Sequence, residues 1–122
     1  MVNAEFREML EVRTAAFAIN VFKMLRKLPA DVATRVIAYQ LGKSTSSIGA
    51  NYYEANRTES SEDFIHKIAI ALKEANESSY WFRVLGGLFG GEVEIGPLQK
   101  ESLELRNIMQ SILQGSRRSR TH

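Results

Sequence analysis

Pro29 and Pro97 are the only prolines among 122 residues, and both stand where a helix would begin. The proline ring fixes φ near its helical value, and the missing N–H is no loss in a first turn. Elsewhere in a helix proline breaks the hydrogen-bond ladder. The long stretches around these two positions are therefore free to be helical. No alternating β-branched run bounded by turn residues competes for a strand.

Four helices follow from the caps and breaks. The first spans about Ala4 to Lys27, with Asn3 as N-cap, Glu5 and Glu8 early, and Arg26 and Lys27 in its last turn, where their charges suit the macrodipole. The second starts near Pro29, with Asp31 in its first turn, and reaches about Asn56. Ser60 caps the third, and Asp63 three residues on completes a capping-box-like pair. This helix is expected to end near Leu85, before Gly86, Gly87, Gly90 and Gly91. The fourth runs from Pro97 to about Gln114, with Gly115 as its stop. Long helices with short connections pack as an all-α, antiparallel, up-down-up-down four-helix bundle. Residues 1–115 would form this single domain, and residues 116–122 a basic, disordered C-terminal tail.

The apolar residues exceed what one bundle core needs. The fourth helix has a clean stripe of Leu98, Leu105, Ile108 and Ile112, with Leu103 and Leu113 beside it. In contrast, only Asn20 and Lys23 interrupt the apolar run from Ala15 to Leu25, and seven of the ten residues from Tyr80 to Phe89 are apolar. Faces beyond the core need a second cover. The expectation is a homo-oligomer whose interface draws on Phe17, Phe22, Tyr80, Trp81 and Phe89.

Composition closes off several kinds of chemistry. The chain has no cysteine, so disulfides, thiolate nucleophiles and cysteine zinc sites are absent; this fits a reducing, cytoplasmic setting. The N-terminus lacks the apolar core of a secretory signal. The longest apolar run, Ala15 to Ile19, is too short to cross a bilayer. The net charge of +2 conceals a distribution: residues 1–115 carry −1, and Arg117, Arg118 and Arg120 add +3. A basic footprint over the whole domain, as nucleic-acid binders show, is missing.

Three motifs resemble sites and fail on inspection. Gly42-Lys43-Ser44 echoes a phosphate loop, but Ile37 stands where that loop needs glycine, and the segment is mid-helix. Asp63-x-x-His66 resembles half of a di-iron bundle motif, yet the only other histidine is His122. Arg117 and His122 have a spacing found in some helical-bundle ribonucleases, but they sit in the tail. No cofactor, metal site or enzymatic activity is expected.

The segment Ser44 to Asn51 is the most unusual. Gly49 costs a helix about 1 kcal/mol relative to alanine, a cost accepted where two backbones approach closely. Ser47, Asn51 and Glu54 fall on one line, and Glu74, Glu77 and Trp81 on a similar line of the third helix. Such groups beside an apolar seam point to a hydrogen-bonded network that sets helix register. A catalytic carboxylate pair of Glu54 with Glu74 or Glu77 would need a partner acid, base or nucleophile, and none accompanies it.

Ser47-Ile48-Gly49-Ala50-Asn51-Tyr52-Tyr53-Glu54-Ala55 resembles the Ser-Ile-x-x-Asn-x-x-Glu-[Ala/Gly] signature of the bacterial four helix bundle protein family, whose members are encoded in intervening sequences of 23S ribosomal RNA genes and at other loci. Asp63-Phe64, the block Ile70 to Glu77, Tyr80-Trp81, Gln40 and the run Glu101 to Leu105 agree with it. The resemblance covers about Phe6 to Leu113. It implies an antiparallel bundle, often a homopentamer, with no established enzymatic activity for most members. A relative of the family, the accessory variability determinant of diversity-generating retroelements, is a pentamer that binds nucleic acid and a reverse transcriptase through a basic surface. The present chain departs from that relative in the near-neutral charge of its folded part. Two function classes follow. One is an adaptor binding RNA or DNA, and a protein partner, through Lys23, Arg26 and Lys27 and through Arg117, Arg118 and Arg120. The other is a scaffold binding protein alone.

Overall fold

Each of the first three helices begins at a side-chain cap. Asn3 Oδ1 accepts from the Phe6 N–H at 2.8 Å, Asp31 Oδ1 from Thr34 at 2.8 Å, and Ser60 Oγ from Asp63 at 3.1 Å. Each cap satisfies one of the amide donors left over in a first turn. In the computed structural model, which describes residues 3–121 and side chains through Ser119, α1 spans Ala4–Leu25, α2 Val32–Ala55, α3 Ser61–Phe89 and α4 Gly96–Thr121. No strand occurs among the described residues.

Short connections fold these helices back on one another. α1 packs on α2, α2 on α3, α3 on α4, and α4 returns to α1, which closes an antiparallel four-helix bundle. The α1–α4 contact is the least extensive. The core stripe of α1 is Leu10, Thr14, Phe17, Val21 and Met24, at alternating spacings of four and three. Leu41, Ile48 and Tyr52 of α2 face it, with Ile68, Phe82 and Leu85 of α3 and Leu105 and Met109 of α4.

Four boundaries differ from those expected. α1 ends at Leu25, with Arg26 as C-cap. α2 begins at Val32 rather than Pro29, because Asp31 is the cap and the proline lies in the connection. α3 runs through Gly86 and Gly87 and ends at Phe89; only Gly90 takes positive φ, at 60°, where glycine has no steric cost. α4 passes through Gly115 and continues to Thr121, so the disordered tail expected from residue 116 is helical that far. Gly115 keeps helical φ and is not a left-handed stop. Glycine weakens a helix without ending it unless its backbone turns.

Candidate interaction surface

The α1–α2 seam is set by two glycines. A Cβ built on Gly42 would lie 2.9 Å from Phe22 Cε1, and one on Gly49 would lie 2.8 Å from Thr14 Oγ1. Real side chains do not approach so closely: at Gly49 the neighbour is the buried Thr14, so glycine lets the two helices meet at this distance, whereas at Gly42 the neighbour is the edge of the exposed Phe22 ring, which can turn aside. Gly49 thus has the close approach that its cost in a helix suggested.

Outside this seam lies an apolar face. Among the described residues, eleven large apolar side chains are exposed, and eight of them belong to α1 and α2. Met9, Val12 and Ile19 follow one another at helical spacing on α1, with Ala16 between them and Phe22 beside them. Val32, Val36 and Tyr39 do the same on α2; beyond the exposed Lys43 and the half-buried Ser46, Ala50 and Tyr53 resume the line. A shallow groove between the two lines is bordered by Ala15, Ala18, Ser46 and Tyr53. Tyr53 is held in place: the Arg57 guanidinium sits 3.5 Å above its ring centroid. Arg57 in turn donates to Glu11 Oε2 at 2.9 Å, and Asn56 Nδ2 donates to the same oxygen at 2.9 Å. The Arg57 hydrogen bond holds the Glu11 carboxyl below its ordinary range, with Asn56 adding to the effect and partial burial opposing it. An exposed aromatic ring fixed in this way loses little freedom on being covered.

The structure redistributes the interface residues expected from the sequence. Phe17 is corrected: at 2% exposure it is part of the α1 core stripe and cannot contact a second molecule. Trp81 and Phe89 are half-buried against the core. Phe22 and Tyr80 are exposed, and Tyr80 meets Trp81 edge-on at 5.1 Å. Sequence reasoning missed Met9, Val12, Ile19, Val32, Val36, Tyr39 and Tyr53. Their signal is a second apolar line on a helix that already has one.

The polar line of α2 and α3 is only partly joined. Asn51 is half-buried, and its Nδ2 donates to Ser47 O at 2.8 Å, a bond within α2. Glu54 is exposed and pairs with Lys67 Nζ of α3 at 2.6 Å. Partial burial pushes the Glu74 carboxyl up, and repulsion from Glu77 adds to this, while Lys43 and Lys73 pull the other way. The hydrogen bond that crosses α2 to α3 in the core lies elsewhere, from Ser78 Oγ to Ser44 Oγ at 3.0 Å. Ser44 and Ser78 are fully buried, and their small side chains let the helices close around the bond.

These helices, caps and faces can be set beside known proteins. The model of the 23S rRNA-intervening sequence protein family matches residues 10–111. The chain belongs to that family. A crystal structure of a protein with unknown function from the S23 ribosomal protein family of Bacteroides thetaiotaomicron superposes with a TM-score of 0.77 at 30% identity, covering 88% of this chain and 97% of that one. No curated protein matches the chain.

In this family member the basic positions divide between the two ends of the bundle. Lys23, Arg26 and Lys27 are exposed where α1 finishes, the end that also holds the start of α2 and the α3–α4 connection with Glu92 and Glu94. Arg117 and Arg118 are exposed at the far end of α4, beside the start of α1. The side chains of Arg120 and His122 lie outside the described residues. Lys43 lies in mid-α2 and His66 is exposed on α3. Among the described residues no group of three His, Cys, Asp or Glu side chains is placed to hold a metal, and no helix is long and apolar enough to cross a membrane.

Proposed function

We propose that this family member is a non-enzymatic, cytoplasmic homo-oligomer, with a pentamer preferred, that acts as an adaptor for RNA or DNA and a protein partner. The observation that carries the reading is the apolar outer face of α1 and α2, which holds eight of the eleven exposed large apolar side chains. Exposed apolar side chains clustered on one side of a small bundle are stabilised by being covered. A second copy is the available cover, and closed symmetric assemblies are the common outcome. The preference for five copies comes from the family resemblance.

Assembly would also change the electrostatics. Lys23, Arg26 and Lys27 are a modest patch on one copy, but a ring repeats them around one rim. Contacts from such a rim to phosphates would be largely indifferent to sequence and would weaken steeply with salt. The separation of the α1 cations from Arg117 and Arg118 favours a second reading, a scaffold that binds protein alone, since these five positions do not form one surface.

Two measurements test the proposal. Sedimentation velocity should give an oligomer for the wild type and a folded monomer for Ile19→Glu, since Ile19 is 54% exposed and its loss leaves the core intact. A wild-type monomer at micromolar concentration would overturn the assembly. A salt-series titration with structured RNA and duplex DNA should show binding that Lys23→Ala/Arg26→Ala/Lys27→Ala weakens. No binding at low salt would leave the protein scaffold.

A further inference from the structure

The outer face of α1 and α2 divides by charge. No exposed residue is charged from Met9 to Phe22 on α1 or from Ser44 to Tyr53 on α2, and that part suits a second copy. The end where the two helices are joined differs. Lys23, Arg26, Lys27, Arg35 and Lys43 are all exposed there. Between Glu11 and Glu54 the chain has one acid, Asp31, whose carboxylate caps α2 and is attracted by Arg35. Arg35 also donates one N–H to Ala30 O at 3.4 Å and has others. Lys43 is within reach of Glu74 on α3. Five cations against these two carboxylates leave an excess of three. Among the described residues no hydrogen bond or ion pair engages the side chains of Lys23, Arg26 and Lys27. Glu92 and Glu94 belong to the α3–α4 connection, across the bundle from the α1–α2 edge.

Two aromatic rings stand among these cations. The edge of Phe22 lies over Gly42, where a Cβ would be 2.9 Å from Phe22 Cε1. Tyr39 and Lys43 flank Gly42 on the exposed side of α2. The helices run antiparallel, so Arg26, one turn beyond Phe22, comes level with about Ala38, beside Tyr39. Arg35, Tyr39 and Lys43 follow at intervals of four, which places the ring about 6 Å along α2 from each cation. Phe22 is 46% and Tyr39 66% exposed. Of the exposed aromatic rings, Tyr53 is covered by Arg57 and Tyr80 meets Trp81. The Phe22 and Tyr39 rings have no aromatic or cationic partner among the described residues. We infer that this patch binds single-stranded nucleic acid, with bases stacked on Tyr39 and Phe22 and phosphates held by Lys23, Arg26 and Arg35. Every base has a π-face, and exposed rings beside cations are the platform that unpaired bases use. A duplex keeps its bases stacked on one another and offers such a patch its phosphates alone. A lipid surface fits less well. Helices that lie in a bilayer interface keep their charges on a face apart from the apolar one, whereas Arg35 and Lys43 share one line with Tyr39.

The inference rests on the adaptor reading and narrows its ligand to unpaired strands. The probe is fluorescein-labelled oligouridylate, followed by anisotropy on the full chain at low salt. Duplex DNA of equal length and phosphatidylserine vesicles are the other arms. The wild type should bind oligouridylate more tightly than the duplex. Tyr39→Ser keeps every charge and changes an exposed side chain, so melting temperature and oligomeric state should be unchanged. It should weaken oligouridylate binding about tenfold, as loss of one stacking ring does, and leave duplex binding as it was. Tyr39→Phe keeps the ring and should bind like the wild type. Lys23→Ala/Arg26→Ala/Lys27→Ala should weaken binding of both nucleic acids. Equal oligouridylate binding by Tyr39→Ser would overturn the inference. So would a Tyr39→Ser protein that fails to assemble where the wild type does, since the ring would then belong to the subunit contact. Duplex binding without a preference for oligouridylate would overturn the inference and leave the adaptor standing. Binding of neither nucleic acid would overturn both, and vesicle binding in its place would assign the patch to a lipid surface.

Discussion

Gly49 of α2 lies so close to Thr14 of α1 that a Cβ at Gly49 would stand 2.8 Å from Thr14 Oγ1 and 2.9 Å from Thr14 Cβ. Thr14 is 1% exposed and its hydroxyl donates to Glu11 O at 3.1 Å, so it has little room to retreat. Helix propensity and packing thus make opposite demands at this position. Gly49→Ala gains roughly 1 kcal/mol of propensity and loses roughly 1–3 kcal/mol to overpacking. We expect net destabilisation, read as a lower urea midpoint. Adding Thr14→Ala should recover most of the loss. Gly87→Ala is the matched control: its Cβ meets nothing within 4 Å, and it should stabilise the protein. A higher midpoint for Gly49→Ala would show that the seam is loose.

Arg13 joins α1 to α4 where those helices pack least extensively. Its Nε donates to Glu101 Oε2 and its Nη2 to Glu101 Oε1, both at 2.7 Å, while Nη2 also reaches Glu104 at 2.9 Å. The Glu101 hydrogen bonds raise the Arg13 pKa further above its ordinary value. The side chains are 30% and 26% exposed, so solvent screens the pair in part. A double-mutant cycle of Arg13→Gln and Glu101→Gln should give a coupling of about 1 kcal/mol, at the upper end for surface pairs because the geometry is bidentate. In 1 M salt, where the Debye length is about 3 Å, the coupling should shrink. A coupling near zero at low salt would mean that apolar contacts alone hold α4 in place.

Glu74 is expected to lower stability at neutral pH. Its carboxyl pKa is raised by partial burial and then by Glu77, so the folded state disfavours the charge relative to the unfolded chain. The sign is therefore opposite to that of a salt-bridged carboxylate. The penalty is absent below the unfolded value of about 4.5, grows as pH rises through the folded pKa, and is complete above it. Glu74→Gln should raise the melting temperature at pH 7, and the gain should vanish towards pH 4. A gain that is equal at both pH values would point to hydrogen bonding or packing instead of charge. Glu11 has the reverse sign: its carboxyl is lowered by Arg57, so its contribution is present at neutral pH and lost on acidification.

The sequence by itself determined the four helices, their order and most of their starts, because the caps at Asn3 and Ser60 and the placement of Pro97 are local properties of the chain; the start of α2 was read at Pro29, whereas Asp31 is its cap. The close approach at Gly49 and the family signature around Asn51 were legible for the same reason. The ends of α3 and α4 were not legible, since a glycine ends a helix only when its φ turns positive. That happens at Gly90 and not at Gly86, Gly87 or Gly115. Tertiary structure alone decided which of the apolar residues of α1 face inward. Phe17 and Ile19 are two positions apart in one apolar run, and packing against α2 and α4 buries the first and exposes the second. It also set the α1 cations and the α4 arginines at opposite ends, because an antiparallel bundle separates the C-termini of its first and last helices. The meeting of the Phe22 ring with α2 beside Tyr39 depends on how closely α1 approaches Gly42, a relation between two helices that neither segment carries alone.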